Sequence, residues 1–127
     1  MNKSSAGLAV ILLSSFLLEG CATTPSRFEW GGYESALYTY AKKPDRRADY
    51  QKALEVAVAR GRTTDRVAPG LLAELGYVYL EDGDLEHAVP LFEEEMQRFP
   101  ESRTFLTGVV ARARAANAPA SKSEVKS

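Results

Sequence analysis

Apolar residues recur at helical spacing through the middle of the chain. Tyr33, Ala36, Leu37 and Tyr40 fall at i, i+3, i+4 and i+7, one face of a helix. Lys42-Lys43-Pro44-Asp45 interrupts that face, and Asp45 is placed to cap the second helix. Tyr50, Ala53, Leu54, Ala57 and Val58 form the apolar face of that second helix. Gly61 is expected to end it, ahead of a polar loop over residues 63–67. Pro69-Gly70 opens a third helix with Leu71, Leu72, Leu75, Tyr79 and Leu80. Asp82-Gly83-Asp84 reads as a tight turn, with Asp84 the N-cap of a fourth helix running to about Phe99. Pro90 lies inside that helix, removes the bond to the Glu86 carbonyl and predicts a local kink. Ser102 is placed to cap a fifth helix carrying Phe105, Leu106, Val109, Val110 and Ala113. No segment alternates with period two for long enough to argue a strand. The predicted class is all-α, about five helices in antiparallel hairpins with short connections.

The two ends read differently. A single Lys, Lys3, precedes the uncharged run AGLAVILLSSFLL over residues 6–18, which is shorter than the roughly 20 residues of a membrane span. A short positive region before a short apolar one is the pattern of a secretory signal. The expected organisation is a signal over residues 1–20, Cys21 and a tether over 21–29, a helical domain over 30–116 and a small polar tail over 117–127.

Composition narrows the function. Sixteen Lys+Arg against 17 Asp+Glu give a net charge of −1, without the basic excess of a nucleic-acid binder. One Cys and one His are too few for a structural zinc site, and one thiol forms no internal disulfide. There is no Gly-rich phosphate loop, no H-E-x-x-H and no G-x-S-x-G. The expectation is a non-catalytic protein without cofactor or metal.

Leu18, Gly20 and Cys21, just past the apolar run, resemble the lipobox of bacterial lipoproteins. Glu19 departs from that pattern, where a small or apolar residue is more usual. The resemblance implies a lipid (palmitate class) on Cys21, removal of the signal and membrane attachment through the acyl chains. Ala22 rather than Asp after the Cys implies the outer membrane. The residues by themselves also allow a free thiol in an ordinary signal or a short membrane anchor.

Leu72-x2-Leu75-Gly76-x2-Tyr79, then Gly83, Ala88-x3-Phe92 and Pro100 resemble the tetratricopeptide repeat of about 34 residues. Leu72 stands where the repeat has its leading Trp, and Glu95 where a small residue is usual. The preceding pair of helices resembles a divergent repeat, and the fifth helix would cover the exposed end. Trp30, Gly31, Tyr33 and Glu34, with Pro69, Gly70, Ala73, Glu74 and Gly76, and with Pro100-Glu101-Ser102, resemble a family of small Gram-negative lipoproteins defined by a domain of unknown function. That family is often encoded beside a lipoprotein resembling the curli export channel and a second small lipoprotein. The resemblance therefore implies those two as partners in a cell-envelope complex.

The repeat register directs Glu34, Tyr38 and Lys42, and Ala73, Tyr77 and Glu81, toward one groove. Tyr38 and Tyr77 then offer flat contact surface to a partner, or to a cell-wall or other small ligand, or they pack between helices. Trp30 is either an exposed anchor or a lid on the nearest apolar end. His87 has no visible nucleophile to serve and reads as solvent-facing or satisfied. Glu93-Glu94-Glu95 reads as a solvated helix surface. Arg46-Arg47 and the arginines of 60–66 form a small basic region.

Overall fold

The structure is a computed structural model that describes residues 26–118. The signal, Cys21 and the tail beyond Ala118 lie outside the described residues. Within them the protein is all-α. Five α-helices follow one another: α1 (Tyr33–Lys42), α2 (Arg47–Thr64), α3 (Leu71–Glu81), α4 (Leu85–Arg98) and α5 (Arg103–Asn117). Short 3-10 turns, Pro44–Arg46 and Pro100–Ser102, lead into α2 and α5. No strand forms among the described residues.

Two apolar clusters hold these helices. The first joins α2 to α3 through Leu54, Ala57, Val58, Leu71, Leu72 and Leu75, with Leu91 reaching in from α4. The second joins α4 to α5 through Ala88, Phe92, Leu106, Val109 and Val110, with Tyr77 and Tyr79 packed on its edge. Removing a side chain such as Phe92 or Leu54 from water contributes about 1.5–3 kcal/mol. α3 and α4 pack closely against each other. A Cβ added at Gly76 would meet the Phe92 ring at 2.8 Å, so only glycine admits this spacing. Gly83, at φ 76°, supplies the left-handed residue that reverses the chain between them. Asp84 caps α4, its Oδ1 accepting the His87 amide at 3.1 Å.

Several boundaries differ from the sequence expectation. Gly61 does not end α2, which continues to Thr64 and is closed by Asp65 at φ 54°. The glycine is there for space: Val67 crosses so closely that an added Cβ would lie 2.8 Å from its Cα. Asp45 does not cap α2 but sits in the 3-10 turn before it, with no side-chain cap bond at the helix start. Ser102 likewise gives no cap to α5, because its hydroxyl donates back to the Phe99 carbonyl at 2.7 Å. Pro90 lies inside α4, which continues through it from Leu85 to Arg98.

Glu95 overturns the reading of 93–95 as a uniformly solvated surface. It is 2% exposed, and its Oε1 accepts the Gly70 amide at 2.7 Å. Position 95 of α4 faces the first turn of α3, whose unpaired amides favour a negative charge. Glu93 and Glu94 do point outward, pairing with Arg114 at 2.7 Å and Arg62 at 2.5 Å.

Candidate functional site

α1 buries no residue completely. It is held instead by aromatic rings and a shared carboxylate. Phe28 meets Trp30 edge-on at 6.2 Å, and Trp30 stacks on Tyr33 at 6.0 Å, along the chain before and into α1. Tyr40 stacks on Tyr50 of α2 at 4.9 Å and 9°. Tyr33 donates its hydroxyl to Glu74 Oε2 at 2.6 Å, and Tyr50 donates to the other oxygen, Oε1. Three helices thus meet at one α3 carboxylate. Burial first, and then the bond to Glu74, push both phenols well above the usual tyrosine range.

The residues singled out in the sequence separate into distinct environments. Trp30 is half-buried between Phe28 and Tyr33, against the first core cluster. Glu34 is exposed on the first turn of α1. Tyr38 is 67% exposed, with the Lys42 ammonium 5.7 Å from its ring centre. Tyr77 is half-buried, its ring edge-on to Phe92 at 5.1 Å, and burial raises its phenol. Glu81, exposed at the end of α3, pairs with Arg47 at 3.5 Å. Tyr38 and Lys42 therefore form one exposed pair on α1, while Tyr77 belongs to the packing between α3, α4 and α5. Cys21 lies outside the described residues.

A cleft of about 280 Å³ opens among α2, α3 and α4. Glu55, Arg62, Tyr79, Glu86 and His87 rim it over apolar side chains such as Val58. Tyr79 donates to Glu55 Oε1 at 3.1 Å, and its ring stacks on His87 at 5.0 Å. His87 Nδ1 lies 2.7 Å from Asp84 Oδ2. The backbone amide of His87, followed by its ring, holds the Asp84 carboxyl below the ordinary aspartate range. The bond from Arg62 does the same for Glu94. Arg62 is thereby paired with Glu94 and not left free to meet a ligand alone. Among the described residues no serine, threonine or cysteine lines the cleft beside His87.

Among the described residues no group of three or more His, Cys, Asp or Glu is gathered to hold a metal ion. No described helix is long and apolar enough to cross a membrane.

Sequence reasoning finds the aromatic residues but not the carboxylate that ties them. Glu74 lies in a stretch that carries the family resemblance, yet its partners are 24 and 41 residues away, beyond any local pattern. Glu95 is missed for the same reason, because its partner Gly70 lies 25 residues away.

Comparison with known proteins adds one positive result. No curated protein and no solved structure matches the chain. The model of the family described as Domain of unknown function (DUF4810) matches residues 28–109. That segment begins at Phe28, at the start of the aromatic series over α1, and reaches into α5. It covers well over half of the 127 residues, and the chain belongs to that family.

Proposed function

We propose that this protein is a lipid-anchored, periplasm-facing lipoprotein of the outer membrane. In it a tetratricopeptide-like helical domain serves as a non-catalytic scaffold in a cell-envelope protein complex. The observation that carries the reading is the position of the only cysteine. Cys21 stands directly after a short apolar run and five residues before Ser26, where Arg66 of the folded domain takes hold of the chain. Acyl chains there would localise the domain, each buried methylene contributing about 0.8 kcal/mol.

The repeat reading draws support from contacts at the spaced positions. Gly76 meets Phe92, Gly83 makes the reversal and Ala88 is fully buried. The exposed Tyr38–Lys42 pair with Glu34 is the surface of α1 offered to a partner. The partners proposed are the curli-export-channel-like lipoprotein and the second small lipoprotein. Anchoring raises the local concentration of such a contact without adding to its strength.

The test is fractionation of cell envelopes with acyl labelling. Native protein is expected in the membrane fraction carrying acyl label, and Cys21→Ser protein is expected to lose both. Retention of Cys21→Ser in the membranes, with no label on the native form, rejects the anchor. Crosslinking in intact envelopes that recovers no envelope protein rejects the scaffold role.

A further inference from the structure

The domain has two chemically different ends, and only one of them receives the segment leading from Cys21. Arg66, just beyond α2, gathers that segment. Its guanidinium donates to the carbonyls of Ser26 and Arg27 and pairs with Glu29 at 3.1 Å, while the Glu29 amide donates to the Arg66 carbonyl at 2.9 Å. The described chain therefore starts beside the C-terminal end of α2. From Cys21 to Ser26 five residue steps span at most about 18 Å. α2 has 18 residues and is about 27 Å long, so its N-terminal end lies beyond that reach.

Charge is divided the same way. Residues 26–29 and 60–66 carry four arginines against two carboxylates, whereas residues 42–49 and 81–86, at the opposite end, carry four bases against six carboxylates. At the first end Arg62 is committed to Glu94 and Arg66 to Glu29, and Asp65 is engaged by Arg98. Arg27 and Arg60 are exposed and have no carboxylate partner among the described residues, with Arg27 over the Phe28 ring. Lys42 and Lys43 at the opposite end are likewise exposed and unpaired, but stand among an excess of carboxylates. A basic residue close to an anionic lipid surface is attracted to it, and an acidic end is repelled from it.

We propose that the α2 C-terminal end, through Arg27 and Arg60, seats on anionic phospholipid headgroups. The Asp82–Asp84 turn and the α1–α2 junction then face away from the bilayer, where a partner reaches them. The orientation rests on the anchor reading of Cys21. It goes further by assigning a lipid-facing surface to residues that reading leaves unassigned.

The experiment uses the full chain in its own membranes, with a photoactivatable diazirine residue in place of Thr64 or, separately, Asp45. Phospholipid adducts are expected at least tenfold more often from position 64. Arg27→Glu with Arg60→Glu is expected to reduce that ratio at least threefold, and Lys42→Glu with Lys43→Glu to leave it unchanged. A ratio near one, or a ratio indifferent to the arginine substitutions, overturns the proposal. Mass measurement of Cys21 acylation on the same preparation separates the two readings. An acylated chain with a ratio near one overturns the orientation alone, and a chain with no acyl group and no adducts overturns both.

Discussion

Between α3 and α4 the chain packs carbon against carbon, with Gly76 under the Phe92 ring and Ala88 fully buried. Between α1 and the rest it relies on phenols, a carboxylate and stacked rings. One hairpin is held by surface removed from water, which depends on shape alone. The other depends on donors and acceptors meeting across three helices, and α1 buries no side chain completely. Loss of a single polar partner should therefore matter at α1 in a way it would not between α3 and α4. The consequence is a second hairpin held by apolar packing and an α1 held onto the α2–α3 core by stacked rings and by the Glu74 carboxylate.

The largest effect is expected at the apolar contact. Phe92→Ala empties a fully buried ring site and should cost about 3–5 kcal/mol, read from denaturant unfolding as a lower midpoint. Glu74→Ala attacks the other hairpin. It leaves the Tyr33 and Tyr50 hydroxyls without their acceptor and should cost about 2–3 kcal/mol. Its mark is regional: hydrogen exchange should rise in α1 while α4 and α5 stay protected. Uniform loss of protection in both hairpins would show that the two are not held separately.

Glu95 sharpens the contrast because it is the one polar group fully buried near the α3–α4 contact. Burial pushes its carboxyl above the ordinary glutamate range, against the opposing pull of the α3 amides. The folded state therefore binds this proton more tightly than the unfolded chain does. The resulting stabilisation is complete below the unfolded value and is lost as pH rises through the folded one. Glu95→Gln, which keeps an oxygen for the Gly70 amide, should flatten the stability–pH curve just above the usual glutamate range. A curve identical to that of the native protein would assign the titration elsewhere. Tyr38→Ala, on the exposed face of α1, should change stability by less than about 0.5 kcal/mol. A larger loss would mean that Tyr38 helps hold the first hairpin and is not a free surface.

Much of the fold can be read along the chain because its determinants are local. The helical period of Leu71, Leu72, Leu75 and Tyr79, the Gly83 reversal and the Asp84 cap each lie within a turn or two of what they specify. The end of α2 shows the limit of that logic. Gly61 carries the residue type of a helix stop, yet it serves a crossing by Val67 that only packing creates. Trp30 and Tyr77 stand out in the sequence as candidates. Whether they face solvent or neighbours depends on Phe28, Tyr33 and Phe92, two of them on the same short stretch and one a helix away.

By itself the amino-acid order determined the all-α class, the position of the second hairpin and the placement of the lone cysteine ahead of the domain. Apolar periodicity and turn chemistry act over a few residues, so they survive without coordinates. Only the tertiary structure decided that Glu74 gathers two tyrosines, that Glu95 is buried at the start of α3 and that Arg66 holds the segment leading from Cys21. A carboxylate reads as solvated from sequence because desolvation is costly, and burial does raise the Glu95 carboxyl even with the Gly70 amide beside it. The donors that offset part of that cost are distant along the chain and become neighbours only when the helices pack.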